Sequence, residues 1–78
     1  MDYFLGGVIL FAGSFSPVNW LDCEGQLLQI AQNTALFSLL GTTYGGNGTT
    51  TFALPKLRAP EPGLRYLICV SGIYPSRP

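Results

Sequence analysis

The chain has 78 residues, 47% of them hydrophobic and only 10% charged, with four basic and four acidic side chains and a formal net charge of zero. A chain of this length holds one domain at most and buries only about 60 to 65% of the surface its unfolded form exposes, so its core is small. Neutrality and the scatter of Lys56, Arg58, Arg65 and Arg77 argue against a nucleic-acid face, which needs several cations gathered on one side.

Gly6, Gly7, Gly13 and Pro17 interrupt the N-terminal apolar stretch, so no run reaches the roughly 20 residues of a membrane span. Met1 to Leu5 has Asp2 where a signal peptide has Lys or Arg, and classical secretion is not expected. The run Val8-Ile9-Leu10-Phe11 is apolar, β-prone and bounded by glycines, which predicts a strand buried on both faces. Gly13 to Asn19 reads as a loop in which Pro17 fixes one backbone angle. Trp20 to Leu28 sets Asp22-Cys23-Glu24-Gly25 between two short apolar pieces, predicting a small hairpin or a tight corner, with Trp20 as a core anchor.

Asn33 is a good helix N-cap, Thr34 to Leu40 is a helical segment, and Gly41 is its stop. Because that segment is apolar on almost every side, the expectation is a centrally buried helix. Thr42 to Thr51 is a Gly-rich polar loop around Gly45-Gly46-Asn47-Gly48. It follows a helix and lacks a Gly-Lys-Ser/Thr ending, which is not how a phosphate cradle is built. Asn47-Gly48-Thr49 matches the glycosylation triplet, an accidental match without a secretory signal. Phe52-Ala53-Leu54-Pro55 is extended, Ala59-Pro60-Glu61-Pro62-Gly63 is a stiff turn, and Leu64 to Val70 predicts a second strand buried on both sides. The tail from Ser71, punctuated by Gly72, Pro75 and Pro78, is expected to be irregular.

The side chains offer little for catalysis. The chain has no His, the commonest proton shuttle and zinc ligand. Asp22 and Glu24 could share one strand face as a carboxylate pair or a weak cation site, but solvation of the corner before Gly25 is the simpler reading. Cys23 sits between two acids, which raises a thiol pKa, the wrong direction for a nucleophile. Its spacing from Cys69 encodes neither a zinc knuckle nor a redox pair; both read as small buried hydrophobes, with a disulfide between them as the alternative. No catalytic, cofactor or metal site is expected.

Two features point elsewhere. A small soluble monomer carries charge over roughly 25 to 35% of its surface. This chain falls short, which favours burial against other copies or a larger partner, unless its Ser, Thr, Asn, Gln and Gly solvate the exterior instead. Aromatic residues make up 13% of the chain, and Phe15, Tyr44 and Tyr74 fall in predicted loops. With Asn47 they are the candidates for contact with a partner chain or a sugar ring, a partner chain being favoured.

Gly7-Val8-Ile9-Leu10-Phe11-Ala12-Gly13, Trp20 with Cys23-Glu24-Gly25-Gln26-Leu27-Leu28, Gln32 through Gly46, and Thr51-Phe52-Ala53-Leu54-Pro55, in that order, resemble the phage tail-collar domain. The likeness is closest to the small bacterial members of that family known as microcystin-dependent proteins. It implies a single α+β domain over 1–78, with short strands packed around one buried helix. The implied function is a structural or adhesive role with homo-oligomers, trimers by default, and other tail or fibre proteins as partners. The implied location is a phage particle or fibre-like assembly, made in the cytoplasm and released by lysis. Lys56 stands where the family generally has Asp. A long Gly- and His-rich insertion typical of the family is reduced here to Ala59 to Gly63, so the expectation is a minimal collar in which assembly outweighs receptor or glycan binding.

Overall fold

The computed structural model describes residues 3–76; Asp2, Arg77 and Pro78 lie outside that range. In chain order it contains β1 (Val8–Phe11), β2 (Trp20–Asp22), β3 (Leu27–Gln29), a 3-10 turn (Ile30–Gln32), α1 (Thr34–Leu40), β4 (Thr51–Ala53) and β5 (Arg65–Cys69). The strands form a three-stranded sheet of order β1-β5-β2 and a two-stranded sheet of β3 and β4, with antiparallel pairing throughout. One helix with two small antiparallel sheets is the α+β class that the sequence implies.

The last strand is the centre of the larger sheet. Val8 pairs with Ile68 on one side of β5, and Leu21 pairs with the same residue on the other. Leu67 and Ile68 are fully buried, so the two-sided burial expected of this strand holds. For β1 it does not. That strand lies at the sheet edge and alternates between exposed and half-buried, because being paired along one side only leaves its flank uncovered.

The β1 edge begins at a bulge that only glycine makes easily. Gly7 N–H donates to Phe4 C=O (3.0 Å) with Gly6 at φ 84°, a type II turn. Gly6 N–H then donates to Cys69 C=O (2.9 Å) while Cys69 N–H donates to Gly7 C=O (2.8 Å), so two residues oppose one in a G1 bulge. This sets the alternation of every bond that follows along β1. A second type II turn, Trp20 N–H to Pro17 C=O at 3.2 Å with Asn19 at φ 72°, leads into β2.

Between β2 and β3 the chain makes a corner, not a hairpin, since the two strands pair with different partners. The Gln26 side chain braces it by donating from Nε2 to Asp22 C=O (2.8 Å) and accepting at Oε1 from Glu24 N–H (3.1 Å). Gly25, at φ 78°, completes the reversal.

Helix α1 has the expected bounds, and Gly41 (φ 58°) closes it by donating its N–H to Phe37 C=O. Two expectations about it fail. Asn33 makes no capping bond, because the 3-10 turn ahead of it brings Gln29 C=O within reach and the Asn33 amide donates there (2.9 Å). The helix is also not centrally buried: only Leu36 is, with Phe37 and Leu40 half-buried. Thr34, Ala35, Ser38 and Leu39 form an outer face, because seven residues are too few to be surrounded by two small sheets.

The core comprises Leu5, Cys23, Leu36, Phe52, Leu54 and Ile68, with Leu21, Leu28, Ile30, Phe37, Leu40, Tyr66 and Val70 packed around it. Phe37 and Phe52 meet at 5.4 Å between ring centroids, tying the helix to β4. Trp20 is half-buried, set edge-on against Tyr3 at 5.0 Å, and so anchors the margin of the core. Cys23 and Cys69 are both buried and free, so the reading as small hydrophobes stands and the disulfide alternative does not.

The tail is less irregular than its prolines suggest. Ile73 N–H donates to Tyr3 C=O (3.0 Å) and Leu5 N–H to Ile73 C=O (2.7 Å), a parallel bridge that follows once β1 and β5 have brought the two ends together. Gly72 is required there, since a Cβ would lie 2.5 Å from Tyr3 C=O.

Candidate assembly surface

The alternation set by the bulge decides which backbone groups of β1 are spoken for. With Cys69 bonded to Gly7, the next residues bonded to β5 are Ile9 and Phe11, so the N–H and C=O of Val8 and Leu10 point away from the sheet. Among the described residues nothing accepts or donates to them. Their side chains are 43% and 47% exposed, so polar edge and apolar surface coincide.

The opposite edge is treated differently. On β2 the outward-directed N–H of Trp20 is used by the Pro17 turn, and the outward C=O of Asp22 is used by Gln26. Just beyond, Leu57 N–H donates to Cys23 C=O (3.0 Å) and Gly25 N–H to Pro55 C=O (3.3 Å), so a neighbouring segment covers the continuation of that edge. The outer side of β4 is covered too, by Ala53 N–H to Gly45 C=O and Gly48 N–H to Thr51 C=O.

The four candidate contact residues lie on three segments, the loop between β1 and β2, the Gly-rich loop and the tail. Phe15 is 71% exposed in the loop before β2, as a contact residue must be. Val18 in the same loop, missed in the sequence, is more exposed still at 84%. Its only sequence signal is its place between Pro17 and Asn19, where the turn holds it outward. Leu27 on β3, 61% exposed, was also missed, because an isolated apolar residue beside Leu28 reads as core.

Tyr44 is half exposed on the Gly-rich loop. Asn47, by contrast, is occupied within that loop: its Oδ1 accepts from the N–H groups of Thr49, Thr50 and Thr51 at 2.7, 2.8 and 3.1 Å. Its Nδ2 donates to Thr50 Oγ1 (3.1 Å), so its polar atoms organise the loop. Gly46 lets the loop lie against β4, since a Cβ there would sit 2.4 Å from Phe52 Cα. Tyr74 is likewise engaged. The Ser38 hydroxyl gives its one proton to Ala35 C=O, so the Tyr74 hydroxyl donates to Ser38 Oγ at 2.6 Å and fastens the tail to α1.

An open cleft of about 660 Å³ runs past Asp22, Cys23, Glu24, Arg65 and Tyr66. Its charges are largely matched to each other. Arg65 Nη1 reaches both Asp22 oxygens (3.2 and 3.4 Å), and Ser16 donates to Asp22 Oδ1 (3.0 Å), leaving Glu24 exposed at the corner. Asp22 therefore pairs with a base and not with Glu24. Burial, and after it the charge of Asp22, pushes the Cys23 thiol up to about 11, so it stays protonated near neutrality. The direction expected from the sequence is right, but burial is the larger cause. Among the described residues no group of three potential metal ligands comes together, and no helix is long and apolar enough to cross a membrane.

The module is a small α+β unit with a braced polar loop, outward backbone groups on β1 and at Leu27 of β3 that have no partner among the described residues, and exposed apolar side chains on several segments. Residues 6–62 match the phage tail collar domain, and the chain belongs to that family, whose members are structural components of phage tails. No protein of curated function matches it. The matched stretch ends just before β5, so the strand at the centre of the larger sheet lies outside it.

Proposed function

We propose that this chain is a non-catalytic structural module of a phage tail fibre or related particle, and that it works by associating with copies of itself, as a trimer or along a filament. One observation carries the reading: large apolar side chains stay exposed on separate parts of the module, Val8 and Leu10 on β1, Phe15 and Val18 in one loop and Leu27 on β3. Such surface is costly in water at about 25 cal/mol per Å², and only 10% of the residues carry charge to offset it. Family membership adds a setting in which neighbouring subunits, of this or another fibre protein, cover it. Light scattering on the purified chain at rising concentration tests this. A particle mass at a multiple of 8.4 kDa is expected, and a monomer up to millimolar concentration overturns the reading. Negative-stain images separate closed trimers from filaments.

A glycan-binding reading keeps one supporting observation, the half-exposed Tyr44 ring on a loop held in shape by Asn47. Aromatic faces stack on sugars. Binding on a glycan array that disappears in Tyr44→Ala favours this reading, and an array without binding removes it.

A further inference from the structure

We propose that the β1 edge is one self-association contact of the module, and that it pairs antiparallel with β1 of a second copy about a two-fold axis at Ile9. The inference rests on the self-association reading and names the surface that reading leaves open. Its basis is the combination at Val8 and Leu10: two adjacent outward-facing backbone sites, each free of partners among the described residues, each beneath an exposed apolar side chain.

An extended strand matches both sites at once, because its donors and acceptors recur at the pleat spacing. The register suits an identical copy. Outward groups must face outward groups, and an axis at Ile9 sets Val8 opposite the partner's Leu10 and Leu10 opposite the partner's Val8. Both outward residues of each copy are then used, each pair exchanges two hydrogen bonds, and the exposed Val and Leu side chains become cross-strand neighbours. A shift of one residue brings outward groups against inward ones and loses the bonds. The result is a continuous sheet of order β2-β5-β1 joined to β1-β5-β2.

Charge and sequence favour a like partner as well. Edges that must stay single usually have Lys, Pro or an inward-pointing charge. From Tyr3 to Ser16 the chain has no charged residue and no proline, so nothing repels or blocks an identical strand. On the β2 edge Gln26 and the Pro17 turn take up the Asp22 C=O and the Trp20 N–H, whereas on β1 neither Val8 nor Leu10 has either group engaged among the described residues. A two-fold contact is self-complementary and closes after two copies. A trimer or a filament then needs a different surface in addition, and Phe15 and Val18, exposed in the loop after β1, take no part in the strand pairing.

The test uses the full chain in four samples: wild type, Val8→Lys, Leu10→Glu, and an equimolar mixture of the two variants, each followed by light scattering and by circular dichroism. Association of each variant should weaken at least tenfold relative to wild type. The mixture should recover it, because the axis at Ile9 sets the new Lys against the new Glu. Unchanged association in both variants, or a mixture that stays dissociated, overturns the proposal. Hydrogen exchange on the wild type provides a check independent of variant folding: protection of the Val8 and Leu10 amides should rise with concentration, and solvent-rate exchange in the associated state overturns the edge. A wild type that never associates removes the self-association reading with it, whereas an associating wild type with insensitive variants removes the β1 edge alone.

Discussion

The two sheets of this small module share one core but differ in how their margins are held. The larger joins the two halves of the chain, with β5 inserted between β1 and β2 and its bonds dealt alternately to either side. Its stability comes from burial, since Leu67, Ile68 and Cys69 are almost without solvent contact. The smaller sheet has only three residues per strand and shares the core through Phe52, but its outer edge depends on polar contacts: the loop ahead of β4 folds over it and is braced by one side-chain oxygen accepting three N–H groups. Damage to β5 should therefore be global, while damage to the loop should stay local.

Ile68→Ala is the strongest way to break that contrast. The residue is fully buried and pairs with both neighbouring strands, so the truncation removes apolar contacts and opens a cavity that the central strand cannot readily close. An expected loss of about 3 to 5 kcal/mol is comparable to the whole stability of a small domain. Urea unfolding should show the variant largely unfolded without denaturant, with the β3 and β4 signals lost together with those of the larger sheet. A variant in which β3 and β4 keep native protection means that the sheets are independent units.

The buried Cys23 sharpens the contrast by pH. Its thiol titrates from 9.0 when unperturbed to about 11 in the fold, so the native state holds the proton more tightly than the unfolded chain does. The stabilising contribution is full below pH 9 and declines as pH rises towards 11, by up to about 3 kcal/mol. Unfolding free energies measured from pH 8 to 11 should fall more steeply for wild type than for Cys23→Ala. Parallel slopes mean that the thiol is not held protonated by the core.

How far these contrasts were legible beforehand depended on whether the deciding contact was local. Helix α1 and its Gly41 stop, the Gly-rich loop and the apolar closing strand were readable because propensity, turn chemistry and short-range pattern determine them. The strand Val8 to Phe11 was readable as well, but its edge position was not, because an apolar run reads the same at an edge as in the centre, and its place follows from pairing with Ile68 far along the chain. The burial of α1 was overestimated for a related reason: Thr34 and Ser38 mark an outer face that the apolar neighbours obscured. Asp22 was set beside Glu24 in sequence, yet it is matched in space to Arg65 from the opposite half of the chain. Of the exposed apolar residues, Phe15 was legible as an aromatic in a loop. Val18 and the β1 edge were not, since exposure there is set by a turn and by sheet order.

Asn47 provides the smallest effect and the cleanest test of locality. Its Oδ1 accepts three backbone N–H groups and its amide reaches Thr50, but the whole network is exposed, so water replaces much of what a truncation removes. Asn47→Ala should cost about 1 kcal/mol, on the scale of a lost helix cap. Asn47→Asp keeps the accepting oxygen and should recover most of it. Amide exchange should show faster opening at Thr49, Thr50 and Thr51 in the Ala variant, with Leu67 and Ile68 changed only by the small global loss. If the β5 amides lose protection as strongly as the loop does, the polar brace supports the entire module and the division between the two sheets fails.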